Sequence, residues 1–486
     1  MLKPSTFRSL IAVSAALAAL AGCAVGPTYS GPAQLLTTAW RSPLPHGGQG
    51  GALHDWWAQF NDPALTRLVD WAEADSPSLS QAWVRIEQAR AALTSTNAGA
   101  LPTVNASGSA ARSRQQAGSQ AATTTVKSAG LDASWEIDLF GRVRRNAEAA
   151  SARVEAREAD WHDARVSLAA EVADTYVRYR ACGLLAEVYE RELTSVSATE
   201  ATTASMVKAG FTAPAEGALA RASLSSARST AVRQRADCAL LLKSLVYLTG
   251  QDEPALLSAM TGSRDLPQPA ALNVDSVPAN VLRQRPDLAS LERELAASSA
   301  EIGAARADLY PSLSLGGSIS RNTVSGTSYT AWSFGPQLSL PIFDGGRGRT
   351  AVDSAKASYA GALAGYRQGV RAAVREVEEA LVNLDSTCQL ATEAQRSTEE
   401  YRRYFNATEA NWRAGTASLL PLEEARRSAL SAEVQDLTLR QSQVSYWIAL
   451  YKALGGGWTA GSPITRPFDA AAAGLNTSKN PQGATP

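Results

Sequence analysis

Two periodicities alternate along this chain. Apolar residues fall at Val370, Val374, Val377, Leu381, Leu384 and Cys388, at spacings of 4, 3, 4, 3 and 4. That is a heptad seam, the pattern of helices that pack side by side over a long distance. No proline interrupts the chain from Gly345 to Trp412, so the spacing predicts one helix roughly 100 Å long at 1.5 Å per residue. The helix breaks at Ala414-Gly415-Thr416, and a second long helix returns from Leu420 to Leu454. Glycine ends a helix there without steric cost. Cys388 continues the seam and reads as a core residue.

The second periodicity is two. Val104, Ala106 and Ala110 alternate with Thr103, Asn105, Ser107 and Ser109. Ala129, Leu131, Ala133, Trp135, Ile137 and Leu139 alternate with Asp132, Ser134, Glu136 and Asp138. Leu313, Leu315 and Ile319 oppose Ser312, Ser314, Ser318 and Ser320, and Trp332, Phe334, Leu338 and Leu340 oppose Ser333, Gln337 and Ser339. Each run predicts a strand with one apolar and one polar face. About ten residues is the length of a tilted membrane-spanning strand, and small hydroxyl side chains suit a water-filled lumen. A soluble sheet with one wet face would alternate in the same way. Polar loops are expected at 112–125 and 321–328. Four strands cannot close a channel, and an open edge is forbidden in lipid. Membrane strands here would have to be pooled among several copies.

The plan occurs twice. Ser76-Pro77-Ser78-Leu79 matches Arg285-Pro286-Asp287-Leu288, and Leu101-Pro102 matches Tyr310-Pro311. Leu139-Phe140-Gly141-Arg142 recurs as Ile342-Phe343-Asp344-Gly345-Gly346-Arg347, and Lys208-Ala209-Gly210-Phe211 as Arg413-Ala414-Gly415-Thr416. Each half reads helix, two strands, long helix, turn, long helix, an internal duplication. The expected divisions are a signal peptide at 1–22, a lipid-anchored leader and first helix at 23–75, and repeat 1 at 76–250. A crossover follows at 251–283, then repeat 2 at 284–457 and a mostly disordered tail at 458–486. Asp62 and Pro63 suit the N-cap and first position of a short helix before the first repeat.

Charge and address narrow the class. The 486 residues hold 46 basic and 46 acidic side chains, so no global field favours nucleic acid. Lys3 and Arg8 precede an apolar stretch from Leu10 to Leu20, the layout of an export signal. Leu20-Ala21-Gly22-Cys23 resembles a bacterial lipobox, which would make Cys23 the lipidated first residue. Cys182 and Cys238 stand 28 residues either side of Gly210 (210 less 182, and 238 less 210). Antiparallel helices would put them level, and an oxidising compartment would allow a disulfide. Two buried thiols are the plainer alternative.

No catalytic constellation stands out. Gly346-Arg347-Gly348-Arg349-Thr350-Ala351 fits a dinucleotide pattern, but the preceding strand alternates and the following helix is far too long for that unit. His46, His54 and His162 lack ligand spacing. No cofactor or metal is expected, and the chain does not read as an enzyme. Leu420 and Glu424 share one helix face just after the second turn. Pointing into a pore, a ring of Glu424 carboxylates would attract cations. A solvated face with a Glu–Arg pair three apart is the simpler reading of Glu423, Glu424, Arg426 and Arg427.

The chain resembles the TolC-like outer-membrane efflux factors, in their OprM-type lipoprotein branch. The matching residues are Leu20 to Tyr29 around Cys23, Trp57 to Pro63, Leu282 to Leu288, Pro341 to Gly346, Arg413 to Gly415, and Leu450 to Trp458. The resemblance implies a mainly α fold, with helical hairpins forming a trimeric tunnel in the periplasm. It also implies four strands per chain in a shared twelve-stranded outer-membrane β-barrel. A homotrimer would dock a periplasmic adaptor and an inner-membrane pump of the resistance-nodulation-division type, and act as a passive gated conduit. Gly210, Phe211, Gly415 and Thr416 would form the adaptor-docking tips, and Leu420 and Glu424 the periplasmic gate. The usual aspartate is Glu424 here, and Pro421 lies between the two gate positions. A channel for type I protein secretion is the nearest rival, and a structural envelope spacer a more distant one.

Overall fold

In the computed structural model the described residues are 24–32, 40–42, 53–117, 120–262, 265–267 and 284–464. The expected signal peptide, Cys23, most of the crossover and most of the tail lie outside them. After a 3-10 helix at Leu53–Phe60 come α1 (Pro63–Ala74) and α2 (Pro77–Ala98). Strands β1 (Thr103–Ala117) and β2 (Gln120–Ile137) lead into α3 (Arg142–Lys208), α4 (Pro214–Thr249) and the short α5 (Glu253–Ala259). Then follow α6 (Pro286–Ala307), β3 (Ser312–Val324), β4 (Thr327–Ser339), α7 (Arg347–Arg413) and α8 (Leu419–Ala453). No helix of the described residues is long and apolar enough to cross a membrane.

The chain forms two compact units. Of the described residues, the first takes 24–32, 84–117, 120–159 and 289–369, and the second takes 40–42, 53–83, 160–262, 265–267, 284–288 and 370–464. The first unit holds an antiparallel sheet in the order β1-β2-β3-β4. Both hairpins are longer than their apolar alternation. The stretches expected as loops at 112–125 and 321–328 are mostly strand, with Arg112 paired to Thr125 and Arg321 to Thr330. The ladder is made by backbone groups, so it continues where both faces turn polar, and β-branched Thr123, Thr124 and Thr125 suit a strand without marking a buried face. The second hairpin closes through Ser325 and Gly326, at φ 49° and 95°, the two positive values of a tight type I′ turn.

Alanines dominate the helical packing of this unit. Ala149 and Ala152 of α3 meet Ala296, Ala297 and Ala300 of α6, with Tyr29 against them. Small side chains bring the two backbones close, and ion pairs of Arg157 with Glu294, Arg153 with Glu301, and Arg293 with Glu155 flank the seam. The leader packs here as well. Val25 N donates to Phe140 O at 3.1 Å. A Cβ on Gly26 would lie 2.4 Å from the Gly303 Cα, and one on Gly303 would lie 2.9 Å from the Arg145 Cδ. The leader carries no periodicity because its contacts are few and of different kinds: backbone at Val25, the close approach at Gly26 and the Tyr29 side chain.

The second unit is built on α1, α4, α8 and parts of α3 and α7. Asp62 caps α1, accepting from Ala64 N at 2.9 Å, and its other oxygen accepts from the Tyr176 hydroxyl at 2.7 Å. Trp56, Leu65, Leu68, Tyr176 and Leu245 are fully buried. Along α7, Val377, Leu381 and Leu384 are buried, as are Ala373 and Ala380. The seam then departs from expectation, because the next buried residue is Thr387 while Cys388 is exposed. Thr387 can take the buried place because its hydroxyl donates to the Asn383 and Leu384 carbonyls, each at 2.9 Å. Asp252 caps the short α5, accepting from Ala255 N at 2.9 Å, inside the segment read as the crossover.

Cys182 and Cys238 are bonded across α3 and α4, with Cα atoms 5.5 Å apart. We expect the bond in the exported protein. Mass spectrometry of unreduced peptides should recover the linked pair. Cys182→Ala with Cys238→Ala should lower stability by about 2–4 kcal/mol, the usual effect of a loop of this size. Both thiols alkylating in the native protein would remove this expectation.

Candidate functional site: an apolar sheet face and two hairpin tips

Register sorts the sheet into two chemically distinct faces. Ala106, Leu131, Ile319 and Trp332 form one cross-strand row, and Val104, Ala133, Gly317 and Phe334 the next. Ile137, Leu313 and Leu338 make another. These side chains face outward: Trp332 is 77% exposed, Phe334 74% and Leu338 68%. A large contiguous exposed apolar face marks a membrane or an interface. The face ends where its positions turn polar, in the row of Ala129, Arg321 and Thr330 and the next of Lys127, Thr323 and Ser328. On the opposite face Ser109 meets Ser128, and Ser318 meets Ser333, each pair at 2.9 Å. Hydroxyl pairs of that kind hold strands together on a wetted surface.

Each long helix starts from a carboxylate at the end of a strand. Asp138 accepts from Arg144 N at 2.9 Å and Val143 N at 3.2 Å at the start of α3. Asp344 accepts from Gly348 N at 2.7 Å and Gly346 N at 2.8 Å at the start of α7. Those two amides hold the Asp344 carboxyl below the usual range. They are also the groups a phosphate would need, so the protein itself fills the anion site that the glycine pattern suggests.

The hairpin turns are built alike. Gly210 and Gly415 take φ of 79° and 78°. Phe211 N bonds Met206 O at 2.9 Å and Gly210 N bonds Val207 O at 3.1 Å. Thr416 N bonds Asn411 O at 2.9 Å and Gly415 N bonds Trp412 O at 3.0 Å. This paired closure needs a left-handed residue, which favours glycine. Phe211 is 82% exposed, and Thr416 is exposed too.

Beyond the second turn the acidic doublet divides. Glu423 pairs with Arg426, which is buried. Arg426 Nη2 also donates to Thr199 Oγ1 at 2.7 Å, and its guanidinium lies 5.6 Å from the Phe405 ring centre. Burial pushes the nearby Glu192 carboxyl up, which Arg426 only partly offsets. Leu420, Glu424 and Arg427 are exposed, on the side away from buried Leu422, Ala425 and Arg426. The helical pair three apart is therefore Glu423–Arg426, and among the described residues no ion pair joins Glu424 to Arg427. Sequence reasoning missed the Thr199 contact, which spans 227 residues of chain and leaves no local signal.

A cavity of about 260 Å³ in the second unit is lined by Trp57, Glu73, His162, Arg165, Tyr451 and Trp458, among others. Arg165 Nε donates to Glu73 at 2.9 Å. Burial lowers the His162 pKa to about 4 and pushes the Glu73 carboxyl up. His162 packs edge-on to Trp161, with ring centres 5.0 Å apart, as a core histidine would. Among the described residues no group of three or more His, Cys, Asp or Glu could hold a metal ion.

The sequence model of the outer membrane efflux protein family matches this chain twice, at residues 68–251 and 277–456. The chain belongs to the outer membrane efflux protein family. It is 30% identical over 466 residues to the solvent efflux pump outer membrane protein SrpC of Pseudomonas putida, covering 91% of this chain and 97% of the relative. It is 31% identical over 442 residues to the pyoverdine export outer membrane protein OpmQ of the same species, covering 87% and 92%. Among solved structures the outer-membrane channel OprN matches with a TM-score of 0.79 and 31% identity, over 90% of this chain and 100% of that one. Like its family, the protein is an outer-membrane transport channel, and its fold is TolC-like: the described residues are mostly helical, with a four-stranded sheet.

Proposed function

We propose that three copies of this outer membrane efflux protein pool their strands into a twelve-stranded barrel and their hairpins into a periplasmic tunnel. The carrying observation is a four-stranded sheet whose apolar face is exposed and whose β1 and β4 edges are unpaired among the described residues. Lipid cannot satisfy an open edge, so the edges must pair with other copies. The double family match and the equal helix pairs support an internal duplication: 67 residues in both α3 and α7, 22 in both α2 and α6, and 36 and 35 in α4 and α8.

The trimer is a passive gated conduit, which docks a periplasmic adaptor and, through it, an inner-membrane pump of the resistance-nodulation-division type. The pump selects the cargo, which accords with relatives named for cargoes as unlike as solvents and pyoverdine. Those small cargoes favour efflux over protein secretion. Cys23 carries the lipid anchor. Its chain neighbour Ala24 lies against Gly141, where a Cβ would come within 2.9 Å of the Ala24 Cα, close to the end of β2. Leu420 and Glu424 form the gate, on the helix face that the chain's own core leaves uncovered.

Cys23→Ser should abolish labelling with radioactive palmitate, and persisting label would remove the lipid anchor. Substituting Trp at Gly415 should abolish drug resistance while trimers still reach the outer membrane. Unchanged resistance would count against tip docking.

Planar-bilayer recordings test the conduit and its gate together. The native protein should show single-channel steps. Glu424→Ala should raise resting conductance and weaken cation preference, because three like charges are removed from a narrow ring. Leu420→Ala should raise conductance with less effect on selectivity. A silent native protein would overturn the channel. If Glu424→Ala changes neither property, Glu424 belongs to a solvated outer face.

A further inference from the structure

Charge on the sheet of the first unit is sorted both by face and by height. The strands carry four basic residues, Arg112, Arg114, Lys127 and Arg321, and two acidic ones, Asp132 and Glu136. Register puts every basic residue on the outward face, in line with Ala106, Leu131 and Ile319. Both carboxylates take the alternate positions, on the hydroxyl face, where Ser107 Oγ lies 3.5 Å from Asp132 Oδ2.

The basic residues also share one end of the sheet. Leu131, Ile319 and Trp332 form the last wholly apolar row, and Arg321 stands in the next one toward the hairpin turns. Lys127 is a row further, and Arg112 and Arg114 lie beyond it. All four are exposed. Among the described residues none of them is held by a carboxylate, and Arg321 donates to Thr330 Oγ1 at 3.3 Å. Arg112 is opposite Thr125, two residues from Lys127, and Lys127 is opposite Thr323, two residues from Arg321. Diagonal neighbours of that kind lie roughly 7–8 Å apart. The cations thus make one oblique line across three strands, and with no carboxylate on that face each repels the next.

We propose that this line binds the phosphate-bearing headgroup of an outer-leaflet glycolipid, which in a Gram-negative outer membrane is lipopolysaccharide. The proposal rests on the barrel reading above and adds a ligand to the barrel's outer wall. The helices joined to the sheet, α2, α3, α6 and α7, all meet it at the end away from its hairpin turns. With those helices in the periplasm, the turns and the basic line stand at the outer leaflet. A cation on the lipid side is costly at mid-bilayer and tolerated at headgroup level. The line begins one row past the apolar band, with Trp332 at the margin, where interfacial aromatics belong. Guanidinium forks and an ammonium match phosphate oxygens. Guarding the sheet edge would need charge only on β1 or β4, yet Lys127 and Arg321 lie on the inner strands β2 and β3. Steering ions through a lumen would need it on the hydroxyl face.

Native mass spectrometry of the full-length protein, purified from outer membranes into detergent, tests the site. The probe is lipopolysaccharide with a truncated sugar chain, added before and after phosphatase treatment. The native protein should bind the phosphorylated form and lose most of its affinity for the treated one. Arg112→Gln, Lys127→Gln and Arg321→Gln together should weaken binding about a hundredfold, at roughly fivefold for each cation near an anionic surface. Arg112→Lys with Arg321→Lys keeps the charge and should keep most of the affinity. Equal binding of the treated lipid overturns the site on the native protein alone, whether or not the triple variant assembles. Equal binding by an assembled triple variant also overturns it, as does displacement by phosphatidylglycerol or inorganic phosphate at matched concentration. Planar-bilayer recordings from the same preparation separate the two readings. Single-channel steps without phosphate-dependent binding overturn the lipid site and leave the channel standing. A silent native protein that binds no lipopolysaccharide overturns both.

Discussion

A backbone amide in lipid has no partner but another backbone group, and the organisation of this chain follows from that constraint. The sheet turns an apolar face outward, with Trp332, Phe334 and Leu338 largely exposed. In water that face would be a liability, and in lipid it is the correct surface. The face opposite carries hydroxyl pairs such as Ser318 with Ser333. Neither face is a core in the ordinary sense, so the sheet cannot hold itself together by burial. It depends on its ladder, and the ladder is incomplete at β1 and β4 until another strand arrives. In the proposed trimer, strands of neighbouring copies complete that ladder.

The helices solve a different problem with different residues. Alanines at 149, 152, 296, 297 and 300 let α3 and α6 approach closely, and charged pairs line the rims. Individually such exposed ion pairs contribute little. Their value is positional, since Arg157 with Glu294 and Arg153 with Glu301 favour one sliding register of two otherwise featureless alanine surfaces. Alanine-rich packing tolerates slippage unless something polar marks the register. The same logic recurs where Arg191 meets Glu433.

Much of the fold was legible because its periods are long and uninterrupted. Helix boundaries at Arg413 and Leu419 follow from one glycine turn, and the strands from strict alternation. The limits of legibility are physical. Residues 112–117 and 120–125 pair as strands because their backbones do, with no apolar pattern to announce it. Cys388 lies off the buried stripe while Thr387, its hydroxyl satisfied by its own helix, is buried, and a polar residue in that place gives no apolar signal. The docking of the leader depends on Gly26 meeting Gly303, a contact across more than half the chain between residues that have no side chains to signal it. At the candidate site the turn glycines were readable and the role of Arg426 was not, because its partner Thr199 belongs to the other hairpin.

The doublet of Glu423 and Glu424 shows why the distinction matters. Adjacent residues on a helix point about 100° apart, so one carboxylate can be held inward while its neighbour is left outward. Glu423 is neutralised by Arg426, which is itself buried and tied to Thr199. That arrangement keeps Arg426 from reaching round to Glu424. Arg427, three residues on, shares the exposed side with Glu424, and among the described residues no ion pair joins the two. In the proposed gate the field at Glu424 therefore depends on Arg427, the basic neighbour on its own side, and not on Arg426, which is two residues on and held in the core.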